Sequence, residues 1–71
     1  MKLNTAKEFG AAVKKYRKKQ GVTQLQVAAF ANTGLRFISD LENGKPSVQL
    51  DKALRVAKVL GLHLEVEDIK E

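Results

Sequence analysis

Residues 23–45 carry the sequence TQLQVAAFANTGLRFISDLENGK, in which two short amphipathic segments flank Asn-Thr-Gly at positions 32–34. Thr23 with Gln26 three residues later has the form of a helix-capping box, and Gly34 suits the N-cap of a following helix. Asn, Thr and Gly all tolerate turn conformations. The stretch therefore predicts two short helices joined by a tight turn.

A longer helix is predicted before this pair. Thr5 with Glu8 again has the form of a capping box, and Gly21 suits the left-handed position that ends a helix. Between these signals, apolar residues recur at i, i+4 and i+7, at Phe9, Val13 and Tyr16. The first helix is therefore expected from about Ala6 to Gln20.

A fourth helix is predicted after the break at Asn43-Gly44-Lys45-Pro46, with Gly61 as its end. Its apolar stripe consists of Leu50, Leu54, Ala57 and Leu60, widened by Ala53 and Val56. The residues expected in the core are Val13, Tyr16, Val22, Val27, Ala28, Ala31, Ile38, Leu41, Leu54, Ala57 and Leu60. We expect an all-α domain of four to five helices, in which residues 23–43 have the layout of a helix-turn-helix DNA-binding motif.

The pattern changes to a period of two at the C-terminal end. Leu62, Leu64 and Val66 alternate with polar residues, which is typical of a half-buried strand. Because one strand cannot stand alone, we expect this strand to pair with its equivalent in a second copy across a two-fold axis. The alternative is a frayed amphipathic tail over residues 62–71.

Length and composition restrict the classes of function. A chain of 71 residues is expected to form one domain, over residues 1–71, with a core too small to house a buried catalytic cleft. With no Cys and one His, a thiol nucleophile and a zinc site of His and Cys ligands are excluded, and no cofactor motif is present. No signal peptide or membrane-spanning run is visible, so we expect a cytoplasmic protein that is not an enzyme.

The charge is strongly uneven along the chain. The net charge is +5, and residues 1–60 contain 12 Lys and Arg against 4 acidic residues, whereas residues 61–71 contain 1 against 4. A basic body suggests a polyanion such as nucleic acid as the partner, because Lys and Arg that neutralise phosphates release condensed counterions. The alternative is a solvated helix face made by the basic residues Lys14, Lys15, Arg17, Lys18 and Lys19.

Five short motifs lie within residues 9–62: Gly21-Val22-Thr23-Gln24, Val27-Ala28, Ile38-Ser39, Leu41-Glu42-Asn43-Gly44-Lys45 and the segment from Ala57 to Gly61. With these motifs, residues 9–62 resemble the Cro/C1-type, phage-repressor-like helix-turn-helix family. Within that family, residues 37–46 and 49–56 and the strand-forming tail are most similar to HipB-type antitoxins. The resemblance covers about three quarters of the chain.

The resemblance implies which residues meet DNA. The third helix would lie in the major groove, with base-reading positions at Gly34, Leu35, Arg36, Ser39 and Asp40. Phosphate contacts are implied for Thr23, Gln24, Asn43 and Lys45, at the start of the second helix and just past the third. Arg17 and Glu42 match two positions that form an ion pair between the first and third helices in relatives.

Several of these positions have more than one interpretation. The Arg36 fork can donate two hydrogen bonds to guanine, or Arg36 can clamp a phosphate or remain solvated. Asp40 can accept from a cytosine amino group or orient Arg36 at i+4. Leu35 could contact a thymine methyl group or lie against the second helix. Leu25 and Phe30 could form a docking surface for a partner protein or add to the core.

These expectations together favour a dimeric transcriptional repressor. One recognition helix touches too few base pairs to mark a genomic site, so a homodimer on an inverted-repeat operator in double-stranded DNA is expected. The resemblance to HipB further implies an antitoxin that binds a HipA-like kinase toxin and represses its own operon. The alternatives are a stand-alone phage-type repressor without a toxin and a protein-interaction module that uses the fold without reading bases.

Overall fold

The computed structural model describes residues 4–63, which form four helices. They are α1 (Ala6–Lys19), α2 (Gln24–Phe30), α3 (Leu35–Glu42) and α4 (Leu50–Val59). Within this range the fold is all-helical, as predicted, and none of these helices is long and apolar enough to cross a membrane. Leu62 is buried against the core, whereas the other predicted strand positions, Leu64 and Val66, lie outside the described residues.

The helix starts follow from local side-chain chemistry. Thr23 and Gln26 form a complete capping box, with Gln26 N donating to Thr23 Oγ1 at 3.1 Å and Thr23 N to Gln26 Oε1 at 2.8 Å. At α1, Glu8 N donates to Thr5 Oγ1 at 3.1 Å, but the Glu8 carboxylate accepts from Asn4 N at 2.9 Å rather than from Thr5 N. One of the two bonds of the predicted capping box at α1 is therefore present, and in the other the donor is Asn4 N in place of Thr5 N.

A side chain of α4 holds the turn between α2 and α3. Asn32 adopts a positive φ of 52°, a conformation that Asn tolerates better than most residues. Arg55 Nε donates to the Ala31 carbonyl at 3.1 Å, and Arg55 Nη2 donates to the Asn32 carbonyl at 3.4 Å. These bonds join α4 to the C-terminal end of α2 and to the first residue of the turn.

The core lies where the four helices meet. Its buried apolar residues are Val13, Val27, Ala28, Ala31, Ile38, Leu41, Ala53, Val56, Ala57, Leu60 and Leu62, with Phe9, Tyr16, Val22, Phe37 and Val48 packed against it half-buried. Most of the predicted core is confirmed. A contact of backbone on backbone joins α1 to α3, because a Cβ atom placed on Gly10 would lie 2.1 Å from the Leu41 carbonyl oxygen.

The prediction for the buried face of α4 was wrong at two positions. Leu50 is 72% exposed and Leu54 is 47% exposed, so Leu54 is not a core residue. The helix instead turns its small residues Ala53 and Ala57 inward together with Val56. The apolar residues of α4 are distributed over more than one face of the helix. Because the small core covers only one side, part of this set stays exposed.

Candidate nucleic-acid interface

The outward face of α3 presents the residues that were predicted to read bases. Gly34 is the N-cap of α3, and Leu35 and Arg36 are exposed in its first turn. Ser39 and Asp40 follow one turn later and are half-buried. The Arg36 side chain is 91% exposed, so its guanidinium is free to reach a ligand in front of the helix. The structure thus leaves all five positions at least partly accessible, and Arg36, Ser39 and Asp40 share one face of α3 at i, i+3 and i+4.

Asp40 lies between two cationic side chains of this surface. Its Oδ2 is 4.0 Å from Arg36 Nε and 3.5 Å from Lys45 Nζ. The contact to Arg36 is the i, i+4 arrangement that was proposed as one interpretation of Asp40. Because all three side chains contact solvent, these pairs contribute little to the free energy of unfolding. Their main effect is to orient the cationic groups of Arg36 and Lys45.

Replacing Asp40 with Asn is expected to strengthen binding to duplexes of unrelated sequence. If α3 enters the major groove as the sequence predicts, the change removes a negative charge close to the phosphates. An exposed charge interaction of up to about 1 kcal/mol corresponds to a gain of roughly two- to fivefold in affinity. The measurement is fluorescence anisotropy with a scrambled duplex at low salt. An unchanged affinity would show that Asp40 does not face DNA.

Two further elements flank α3. The N-terminus of α2 carries Thr23, whose hydroxyl accepts from Gln26 N, and Gln24, whose Nε2 donates to Glu42 Oε1 at 3.1 Å. A side-chain amide has two N–H donors, so the bond to Glu42 orients the Gln24 side chain and uses one donor of the two. On the other side, Asn43 is the C-cap of α3 and is exposed with Lys45.

Arg17 and Glu42 form a bidentate ion pair at the base of this surface. Arg17 Nε donates to Glu42 Oε2 at 2.6 Å, and Arg17 Nη2 donates to Glu42 Oε1 at 3.1 Å. Both residues are buried, and Arg17 Nη1 also donates to the Val22 carbonyl at 2.9 Å. The hydrogen bonds that Glu42 accepts from Arg17, together with the negative charge of Glu42, raise the pKa of Arg17 against the opposing effect of burial, so the guanidinium stays charged.

This pair is the centre of a network that joins three helices. Arg17 belongs to α1, Gln24 begins α2, and Glu42 ends α3, while the Val22 carbonyl lies in the turn between the first two. The network fixes the start of α2 relative to the end of α3. The bond from Gln24 to Glu42 and the clamp by Arg55 were not predicted, because they join residues far apart in the sequence.

The apolar residues of α2 that raised two interpretations lie on the surface. Leu25 is 64% exposed and Phe30 is 66% exposed. The interpretation that they add to the core was therefore wrong, because the outer side of α2 faces away from the other helices. The proposed docking surface for a partner protein stays a prediction. Leu35, itself one of the five predicted base-reading positions, is 48% exposed, and both of its interpretations stay predictions.

A family model described as helix-turn-helix matches residues 13–66, which include α2, the turn and α3. The chain belongs to the helix-turn-helix family. A curated relative, the uncharacterized HTH-type transcriptional regulator y4mF of Sinorhizobium fredii, is 42% identical over 65 residues, which cover 92% of this chain and 86% of the relative. The protein is thus a DNA-binding transcriptional regulator of the helix-turn-helix type.

Solved structures of HipB share the fold. The chain in the "HipB-O4 20mer complex" matches with a TM-score of 0.86 and 24% sequence identity, covering 99% of this chain and 99% of that one. The chain in the "Structure of HipA-HipB-O2-O3 complex" matches with a TM-score of 0.87, again with 24% identity and 99% of each chain covered. At this level of identity the likeness establishes the fold.

Proposed function

We propose that this helix-turn-helix regulator is a homodimeric repressor that recognises an inverted-repeat operator through α3. The observation that carries the proposal is the exposed Arg36 side chain in the first turn of α3, between two groups of polar side chains that we assign to phosphate contacts. Gln24 lies at the start of α2, and Asn43 and Lys45 lie at the end of α3. A helix that enters the major groove needs this pattern, with base contacts in the middle and backbone contacts at the edges.

Dimerisation follows from the small footprint of one recognition helix. A single α3 of eight residues can contact only a few base pairs, which is too little specificity against the excess of competing DNA. Two copies related by a two-fold axis would place their recognition helices in successive major grooves, about one helical turn apart. Pairing of Leu62, Leu64 and Val66 between copies is the proposed link, and it stays a prediction.

Replacing Arg36 with Ala is expected to abolish the preference for one guanine in each half-site. A bidentate contact from arginine to guanine O6 and N7 discriminates against other bases by about 1 to 3 kcal/mol, which corresponds to roughly five- to 150-fold in affinity. The measurement compares binding of wild type and variant to a selected duplex and to the same duplex changed at that base pair.

Arg36→Lys is the matched control for this experiment. Lysine keeps the positive charge but lacks the planar fork, so a phosphate contact would survive the change and a base contact would weaken. If both variants bind the original and altered duplexes with the wild-type ratio, Arg36 does not read a base. If wild-type affinity is also insensitive to salt, the fold serves protein interaction rather than DNA binding.

The finer proposal is that the protein is the antitoxin of a HipA-like kinase toxin and represses its own operon. It is supported by the likeness in fold to HipB, which was solved together with HipA, and by exposed Leu25 and Phe30 as a surface for a partner. The test is expression of a kinase-like open reading frame next to this gene. Growth arrest that co-expression of this chain relieves would support the antitoxin, whereas the absence of such a gene would favour a stand-alone repressor.

A further inference from the structure

The first turn of α1 lies directly against the turn that follows α3. A Cβ atom placed on Gly44 would lie 2.8 Å from Lys7 Cα and 3.2 Å from Lys7 Cβ, so the two backbones nearly touch. Gly44 has a φ of +79°, which a glycine adopts without strain. Its neighbours in the chain, Asn43 and Lys45, are two of the proposed phosphate contacts. Lys7 is therefore placed beside one edge of the candidate interface by a residue distant in sequence.

The register of α1 on α3 is tightly constrained at this point. Gly10, one turn after Lys7, lies so close to the Leu41 carbonyl that no side chain fits between the helices. Residues i and i+3 share one side of a helix, and the Cα and Cβ of Lys7 accordingly lie on the side of α1 that packs against the end of α3 and Gly44. Its position relative to the turn at residues 43–45 is thus set by backbone packing rather than by a flexible contact.

The charge of Lys7 is poorly explained by the stability of α1. Lys7 is exposed and lies in the first turn of α1, where the partial positive charge of the helix N-terminus disfavours a cation. Within residues 4–63, Lys7 makes no ion pair. The nearest residue of opposite charge in the chain, Glu8, directs its carboxylate to Asn4 N and Thr5 Oγ1. Among residues 4–63, no acidic side chain therefore accounts for the position of the Lys7 charge.

We propose that Lys7 is a further phosphate-contacting residue, which extends the edge formed by Asn43 and Lys45 to the first helix. This inference rests on the proposed function, because it requires α3 to enter the groove of a duplex. A lysine contacts phosphate as a point charge at the end of a flexible chain, so its contribution is independent of base sequence. Lys7 therefore adds affinity and salt dependence without adding specificity.

The test measures the dependence of duplex affinity on salt concentration for wild type and Lys7→Gln. Two probes are used, a duplex recovered by the protein from a random library and a scrambled duplex of the same length. Loss of one phosphate contact per protomer lowers the slope of log K against log salt by about 0.9 for each contact, or by about 1.8 for a dimer. The loss of affinity is expected to be equal for both probes and to disappear at high salt.

Lys7→Arg and Lys58→Gln are the matched controls. Arginine keeps the charge and should keep the slope. Lys58 is an exposed lysine in the last turn of α4, whereas residues 43–45 precede the first turn of that helix. Glutamine has nearly the helix propensity of lysine, so thermal unfolding of Lys7→Gln should match that of wild type.

The outcomes separate this inference from the proposed function. A lower slope in Lys7→Gln, with Lys7→Arg and Lys58→Gln unchanged, supports the contact. If the wild type binds duplex with a steep salt dependence and Lys7→Gln has the same slope, the Lys7 contact is contradicted and the proposed function is not. A wild type that binds neither duplex contradicts both the contact and the proposed function.

Discussion

Replacing Glu42 with Ala is expected to lower the free energy of unfolding by about 3 to 5 kcal/mol, because it leaves the charge of Arg17 buried without its partner. Glu42 accepts from Arg17 through both carboxylate oxygens and from Gln24 through one of them. The variant therefore loses stability and the restraint on Gln24 together. Urea denaturation followed by circular dichroism measures the loss. Native domains are stable by only about 5 to 15 kcal/mol, so a loss of this size removes a large part of the free energy of unfolding.

The double change Arg17→Met with Glu42→Leu is the informative control. Replacing a buried ion pair by apolar residues of similar size is often neutral or stabilising, so this variant should recover most of the stability lost in Glu42→Ala. Operator affinity should remain reduced, because Gln24 still lacks its acceptor on α3. Full recovery of affinity would mean that the network contributes to folding alone and does not position Gln24.

Replacing Gly10 with Ala is expected to be as damaging, for a steric reason. The added methyl group would lie 2.1 Å from the Leu41 carbonyl oxygen and 3.0 Å from that of Glu42, so α1 and α3 must separate. Because backbone atoms cannot move aside as a side chain can, we expect a cost at the upper end of the overpacking range, about 3 kcal/mol. The melting temperature should fall by roughly 4 to 8 °C for each kcal/mol.

Gly34→Ala provides the comparison for Gly10. A Cβ atom on Gly34 meets nothing within 4 Å, and its φ of −92° is ordinary for any residue. Its melting temperature should change by only a few degrees, since the change affects an N-cap without a side-chain bond. Equal destabilisation of Gly10→Ala and Gly34→Ala would contradict the close packing of α1 on α3.

The elements that the sequence predicts well are those with local causes. Thr23 and Gln26 cap α2 through each other, Gly34 begins α3, and Asn43 with Gly44 ends it. Capping and turn formation depend on residues within four positions of one another, so their pattern can be recognised without the fold. The predicted bounds of the first helix, about Ala6 to Gln20, accordingly agree with α1 (Ala6–Lys19) to within one residue.

The features that the sequence does not reveal depend on how the helices pack. The apolar residues of α4 cover more of its circumference than the core can bury, and nothing local determines that Ala53 turns inward and Leu50 outward. Glycine at position 10 is unfavourable within a helix, and its reason becomes visible only in the folded chain, where the Leu41 carbonyl oxygen leaves no room for a Cβ atom. Arg55 bonds to backbone carbonyls 23 and 24 residues away, which no sequence motif marks.

The candidate site divides in the same way. Its residues were named from the resemblance to relatives, and the structure gathers Arg36, Ser39 and Asp40 on one face of α3. The contacts of the flanking residues, from Lys45 to Asp40 and from Gln24 to Glu42, join α3 to the segments on either side of it, and only the folded chain brings these residues together. Exposed Leu25 and Phe30 show the converse, because their apolar character alone could not distinguish surface from core.

Selection of binding sites from a random duplex library with the wild-type protein tests the central claim most directly. The account predicts an inverted repeat whose half-sites lie about one helical turn apart, with a guanine in each half-site as the most strongly selected base. Recovery of no sequence motif would contradict operator recognition through α3, and recovery of a single unrepeated half-site would contradict the dimer.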